Sequence, residues 1–446
     1  MLNDTIVALA TAPIESAIGV IRLSGDKSFK ILEKIFSNYK EFEGRNKILH
    51  GKILDKETNH QVDDVLVFCF KGPYSFTGED VVEISCHGGL VIINQIITLC
   101  LKYGARMAER GEFSKKSFIN GKLDLVQAES IHDLIMAKSN EAASVALEGL
   151  KGTTSNKIHE LRQEIVDLIS HIEVNIDYPE YEDIEQITNE KLKPLLESVQ
   201  DKISEILKEA EIGKIIKEGI KIAIVGKPNV GKSSLLNAFL NEDKAIVTNI
   251  EGTTRDIVEG NILLHGLPIH FIDTAGIRNP TDEVEAIGIK KSEEYINKAD
   301  LILFVVDGSN SLQDYDKEIL KLIENKKYIV VINKGDLGKK VELEGIEISA
   351  LNKNIDNLKE EIIKKINVNV KNYQNKGLLT NSRQIGLMKK AQENFKNAYE
   401  ACLNYTPIDL VEIDVREGFD AILDLLGEIS KVDLDKEIFS KFCLGK

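Results

Sequence analysis

The chain is poor in cysteine, has no apolar run long enough to cross a bilayer and carries no basic excess. Each shortage removes a class of protein. The five cysteines, Cys69, Cys86, Cys100, Cys402 and Cys443, are odd in number and form no C-x-x-C pair. That pattern builds no disulfide framework, so they read as small apolar core residues. Met1–Ala12 has no signal-peptide pattern, and the expected compartment is a reducing cytosol, cytoplasmic and without stable membrane association. Acidic residues outnumber basic ones, 72 to 57, for a net charge of −15. Such a balance opposes loose binding to RNA or to an anionic membrane, so any nucleic-acid contact should be local or shared with a partner. There is no internal repeat and no low-complexity tract.

What is present is globular. With 446 residues, 43% hydrophobic and 29% charged, the chain exceeds one core and predicts about two or three domains. One stretch orders the rest: Ile220–Val225 is a short apolar run, and 226–233 reads G-K-P-N-V-G-K-S. A buried strand that turns through a glycine loop into a helix presents backbone N–H groups that cradle phosphates. Lys232 would meet the β- and γ-phosphates, and Ser233 a Mg²⁺ ion. Ile269–Ile272 reads as another strand and delivers D-T-A-G at Asp273, Thr274, Ala275 and Gly276. There a carboxylate can hold a Mg²⁺-bound water, and a glycine N–H can meet a γ-phosphate. Leu301–Val306 and Tyr328–Ile332 read as two more buried strands, the second ending in N-K-x-D at Asn333, Lys334, Gly335 and Asp336. The Asp336 carboxylate can accept two hydrogen bonds from N1 and the 2-amino group of guanine, a donor pair that adenine lacks. After Ile346–Ile348, the residues Ser349, Ala350 and Leu351 resemble the loop that closes over guanine in small GTPases. Strands alternating with helices in this order predict a mostly parallel sheet, the α/β fold of a P-loop GTPase.

Residues 1–118 read as a compact α+β domain. Its expected pieces are a strand at Ile18–Leu23, an amphipathic helix at Ser28–Phe36, strands at Val65–Phe70 and Val81–Ser85, and an apolar helix at Leu90–Leu101. Pro73–Asp80 is a turn-rich loop, His87 beside two glycines reads as a turn residue, and Gly111–Lys122 as a polar, basic link out of the domain. Residues 119–212 follow a helical pattern, broken once at Pro179 and the acidic cluster Glu180–Glu185, and a similar pattern returns over 378–446. That second stretch is too short for a core of its own and is expected to pack on the earlier helices. The GTPase segment, 213–377, is then an insertion within one α-helical domain.

Together these residues closely resemble the MnmE family of tRNA-modification GTPases, also called TrmE. The shared stretches include T-G-E-D at 77–80, H-G-G at 87–89, G-E-F at 111–113, N-G-K-L-D-L at 120–125, the whole GTPase set, and F-C-L-G-K at 442–446. The resemblance implies a homodimer whose N-terminal domain, similar to the folate-binding domains of one-carbon transfer proteins, holds 5-formyl- or methylene-tetrahydrofolate. It implies a flavin-dependent partner, GidA (MnmG), in a heterotetramer or larger complex, with tRNA contacted mainly through that partner. The product it implies is aminomethyl- or carboxymethylaminomethyl-uridine, made at C5 of the wobble uridine of certain tRNAs.

The resemblance also implies roles for particular residues. Arg22, Glu83, Lys122 and Lys446 match folate-contacting positions. GTP contacts are implied for Asn229, Val230, Gly231, Lys232, Ser233 and Ser234, for Thr248, Asn249, Ile250, Glu251, Gly252, Thr253 and Thr254, and for the D-T-A-G, N-K-x-D and S-A-L residues above. Asn229, Thr248, the Ile250 carbonyl and Thr253 would ligate K⁺, and Ser233 and Thr254 would ligate Mg²⁺. A monovalent cation there does what an arginine finger does elsewhere, neutralising charge that develops in phosphoryl transfer. Ile277 stands where many GTPases place a glutamine to orient the attacking water, and a hydrophobic side chain cannot do so. Glu285 matches the family's catalytic glutamate, acting with Lys232 and Asn229. Cys443 matches a family cysteine and is assigned no role. Asn279 and Pro280 depart mildly from relatives, where a proline would stiffen the second switch. The rival reading is a ribosome-assembly or translational GTPase, which would share the GTP elements but carry a basic RNA-binding module and bind no folate.

Overall fold

The structure is a computed structural model that describes residues 4–41, 43–177, 188–242, 260–272, 293–338, 340–368, 370–373, 375–429, 439, 442 and 445. The chain divides into two compact units: Met1–His132, Gly149–Gln200 and Leu387–Lys446 form one, Asp133–Glu148 and Asp201–Gly386 the other.

In the first unit β1 (Ile6–Leu9), β2 (Ile18–Ser24), β3 (Asn46–Asp55), β4 (His60–Phe70), β5 (Val81–His87) and β6 (Arg106–Met107) make one sheet in the order β3-β4-β5-β2-β1-β6. β1 and β6 run parallel, and the other neighbours antiparallel. Side chains alternate across the pleat: Val65, Val67 and Cys69 of β4 are buried, whereas Asp64 and Leu66 face out. The buried row joins Ile21, Leu23 and Ile84 against α1 (Ser28–Ile35) and α2 (Leu90–Lys102), through Ile31, Leu32, Ile93 and Ile96.

The stretch expected as a polar link is instead α3 (Glu112–Ile119), with Phe113, Ser114, Lys116, Ser117 and Phe118 buried. Phe113 packs on Ile6 and Ala8 across the opposite sheet face. Its charges are tolerated inside because each has a partner. Lys116 Nζ lies 2.7 Å from Glu79 Oε1 and donates to the Asp4 carbonyl at 3.0 Å, and Arg106 grips Glu112 at 2.5 and 2.9 Å. Helices α4 (Leu125–Met136), α5 (Asn140–Leu150), α6 (Thr153–Asp177) and α7 (Asn189–Glu218) follow. In α6 the buried residues Ile158, Leu161, Ile165, Leu168 and Ile172 recur every three or four positions, the apolar stripe of a packed helix.

The second unit holds β7 (Ile220–Val225), α8 (Lys232–Glu242), β8 (Asn261–Leu264), β9 (Leu267–Phe271), β10 (Leu301–Asp307), α9 (Asp314–Ile323), β11 (Tyr328–Asn333), β12 (Ile346–Glu347) and α10 (Asp356–Ile366). The strand order is β12-β11-β10-β7-β9-β8, parallel throughout except for the β8–β9 hairpin. Both faces are buried, as a parallel sheet requires. Ile222 and Ile224 of β7 enter a cluster with Leu235, Phe239, Leu358 and Ile362 of α8 and α10. Ala223 and Val225 enter another with Ile319 and Ile323 of α9. β7 lies between β9 and β10, so the strand order reverses beside it, the place where open α/β sheets bind ligands at the carboxyl ends of the strands. Ala142 and Val145 of α5 join Ile216 and Leu267 in this unit.

The chain continues with α11 (Ser382–Leu403) and α12 (Ile408–Leu426). In the first unit α12 packs on α6 and comes close to α11 at Gly418, where a Cβ would lie 2.8 Å from the Phe395 ring. Beyond it Phe439 and Phe442 are buried with Phe118, Leu125 and Ala128. Among the described residues no helix is long and apolar enough to cross a membrane.

Candidate nucleotide-binding site

The phosphate loop leaves the end of β7 and enters α8 at Lys232. Two of its glycines are required by space and conformation. Gly226 has φ +150° and Gly231 φ +98°, and a Cβ would fall 2.2 Å from the Val305 carbonyl oxygen or 2.1 Å from Asn333 Nδ2, respectively. Asn229 is also left-handed, at φ 62°. Lys232 Nζ donates to the carbonyls of Gly226 and Lys227 at 2.6 and 2.5 Å, and burial lowers its ammonium to about 8.

The loops of the second unit meet through one buried side chain. Asn333 Nδ2 donates to the Val230 carbonyl at 2.9 Å, and Asn333 Oδ1 accepts from the Ala350 N–H at 3.0 Å. Asp336 Oδ1 accepts from Ser349 Oγ at 2.8 Å, and the Gly335 N–H donates to the Ile348 carbonyl at 3.0 Å. The phosphate loop, the N-K-x-D element and the S-A-L loop are therefore one hydrogen-bonded frame, with Leu351 exposed at its edge. Lys334 is left-handed at φ 64° and donates to Asp307 Oδ2 at 2.6 Å. Burial works to raise the Asp307 carboxyl, but hydrogen bonds from Lys334 and Ser309 outweigh it and hold the group down at about 2. Reading the sequence missed Asp307, because its partner is distant along the chain and no motif contains it.

In the first unit Arg22 and Glu83 are register partners on β2 and β5. Arg22 Nε donates to Glu83 Oε1 at 2.8 Å, and its guanidinium lies 5.9 and 5.6 Å from the Phe76 and Phe113 rings. Arg22 Nη1 donates to the Gly445 carbonyl at 3.1 Å, so the F-C-L-G-K segment reaches this pair. Gly445 is left-handed, and a Cβ there would meet the Leu9 carbonyl at 2.4 Å. Lys122 is exposed and donates to the Pro73 carbonyl at 3.0 Å. His87 is more than a turn residue: its ring Nδ1 lies 2.7 Å from Asp63 Oδ1, and its backbone N–H donates to Asp63 Oδ2 at 2.8 Å. Cys69, Cys86, Cys100 and Cys402 are free and buried. Burial pushes the first two thiols up to about 11 and that of Cys100 to about 12, which suits core residues and not nucleophiles.

Residues 5–122 match a family profile described as the GTP-binding protein TrmE N-terminus, and residues 125–443 match one described as the MnmE helical domain. The chain is 43% identical over 455 residues to the tRNA modification GTPase MnmE of Ligilactobacillus salivarius, covering 99% of this chain and 98% of that one. It is 43% identical over 456 residues to MnmE of Latilactobacillus sakei, with the same coverage. It is 42% identical over 458 residues to MnmE of Streptococcus sanguinis, covering 99% of each. The chain belongs to the MnmE family of tRNA modification GTPases. In this MnmE chain the residues expected in the switches lie outside the described residues: Thr248 to Thr254, Asp273 to Gly276, Ile277, Asn279, Pro280 and Glu285. The same holds for Pro179, the acidic cluster Glu180–Glu185, Cys443 and Lys446. Of the expected cation ligands, Asn229 and Ser233 are described, and Thr248, Ile250, Thr253 and Thr254 are not.

Proposed function

We propose that this MnmE GTPase binds GTP across 226–233 and 333–336 and couples its hydrolysis to modification at C5 of the wobble uridine of certain tRNAs. The observation that carries the nucleotide reading is Asn333, which joins the phosphate loop to the base-side loop. Phosphates and guanine are then read by one hydrogen-bonded frame, with Asp336 taking the paired N–H donors of the base. Asn229 and Ser233 offer neutral, hard oxygen donors on the phosphate loop, which suits K⁺ and Mg²⁺ respectively. Bound there, the cations supply charge neutralisation during phosphoryl transfer. Glu285 orients the attacking water in place of the missing glutamine.

The one-carbon unit comes from a tetrahydrofolate derivative held in the first unit. Carboxylate, guanidinium and ammonium groups suit its pterin ring and glutamyl tail, and the Arg22–Glu83 pair with the nearby Gly445 carbonyl supports that placement. A homodimer is supported by Ile18, Ile48 and Leu66, which are exposed on the sheet face turned away from α1 and α2. The flavin-dependent GidA (MnmG) partner completes the modification. Hydrolysis should be much faster in K⁺ than in Na⁺, and Asn229→Ala should lose that difference while still binding nucleotide. Equal rates in the two salts would remove the cation role.

A further inference from the structure

A loop that belongs to none of the recognised GTPase elements holds two of their lysines. It runs from Asp307, the last residue of β10, to Asp316 in the first turn of α9. At its start Asp307 Oδ2 accepts from Lys334 Nζ at 2.6 Å and from Asn310 Nδ2 at 3.1 Å. Asp307 Oδ1 accepts from the Ser309 N–H and hydroxyl at 3.0 and 2.6 Å. At its end Lys227, the residue after Gly226 in the phosphate loop, places Nζ 2.7 Å from Asp316 Oδ2 and donates to Gln313 Oε1 at 2.6 Å. The Asp316 side chain is only 6% exposed, too buried to keep a charge without a partner. The same Oδ2 accepts the Gln313 N–H at 3.0 Å and closes the capping box of α9. The carboxylate that starts the helix is thus the one that anchors the phosphate loop. A cavity of about 230 Å³, lined among others by Lys227, Asn229, Asp307, Gln313 and Lys334, lies against both ends. Charge, more than packing, fixes the two lysines here.

We propose that the Asp307–Asp316 loop is a positioning element for guanine nucleotide. Asp307 sets Lys334, and with it the base-recognition loop; Asp316 sets Lys227, and with it the phosphate loop. Both carboxylates act through lysines and are positioning residues. The inference rests on the reading of 226–233 and 333–336 as the GTP site.

The test is a fluorescence titration of the full chain with N-methylanthraniloyl-GDP, for Asp307→Asn, Lys334→Met and the double variant. Loss of a charge-assisted hydrogen bond should weaken binding about tenfold or more in each single variant, and the double variant should bind no more weakly than Lys334→Met alone. Wild-type affinity in Asp307→Asn, or effects of the two substitutions that multiply, would overturn the role of Asp307. For the other end, Lys227→Met alone strands a buried carboxylate and can unfold the segment. The variant to read is therefore Lys227→Met with Asp316→Asn, which removes both charges. It should keep its circular dichroism, bind GDP more weakly and raise KM for GTP by a larger factor than it lowers kcat, while Lys227→Arg should bind like wild type. Wild-type GDP affinity in that double variant would overturn the role of Asp316. Failure of the wild-type chain to bind GDP would instead remove the nucleotide reading on which the inference stands.

Discussion

At the scale of single residues, the proposed function gives Asp336 and Lys232 separate parts of nucleotide recognition. Asp336→Asn replaces an acceptor pair with one acceptor and one donor, so it should weaken GTP binding by about ten- to a hundredfold and favour xanthosine triphosphate. Competition binding of the two nucleotides checks this, and unchanged preference for GTP would remove the assignment. Lys232 makes a pH prediction whose sign follows from burial. Its ammonium titrates near 8 in the folded chain, against 10.5 for a free lysine. A bound phosphate favours the charged form, so above about pH 8 the complex holds a proton that the free protein has lost. GDP affinity should be flat below pH 7 and fall by up to about tenfold per unit above 8, and Lys232→Met should abolish the slope. The same depression means that the unfolded chain holds more protons between about 8 and 10.5, so this lysine favours folding increasingly as pH rises through that window.

At the scale of elements, α3 depends on charge pairs inside a small core. Lys116 has a side chain 4% exposed and is paired with Glu79, which also accepts from the Ser24 hydroxyl, so Lys116→Met should leave that carboxylate without its cationic partner and cost about 3 kcal/mol. Urea titration followed through amide exchange in β2 and β5 would register it, and an unchanged midpoint would show that water already satisfies Glu79. This helix also shows where reading the sequence stops. The phosphate loop and N-K-x-D element were legible because their chemistry is fixed by spacing within a few residues, and the buried strands around them because both sheet faces demand apolar runs. Glu112 and Lys116 fall in a stretch that reads as a polar, basic link because their partners, Arg106, Asp4 and Glu79, lie elsewhere along the chain. β3 escaped notice because its outward positions mix Ile48 with His50 and Lys52, and Gly51 interrupts it. Lys227 sits at a position that the phosphate-loop pattern leaves open, so only its 2.7 Å approach to Asp316 reveals a role.

At the scale of the whole molecule, the residues of the proposed nucleotide site belong to the second unit, and the Arg22–Glu83 pair with the Gly445 carbonyl belongs to the first. The proposed function assigns GTP to the second unit and a folate to the first, and it requires both. Phe439 and Phe442 are buried in the first unit, and the Gly445 carbonyl accepts from Arg22 there. Removing Gly445 and Lys446 should therefore disturb the proposed folate site and leave the phosphate loop alone. The most direct measurement is calorimetry of 5-formyltetrahydrofolate binding to the full chain and to the chain lacking those two residues, with basal GTP hydrolysis assayed in parallel. The account predicts binding by the full chain, clear weakening on truncation and little change in hydrolysis. Well-folded full chain that hydrolyses GTP but binds no folate would contradict it and return the chain to the class of GTPases without one-carbon chemistry.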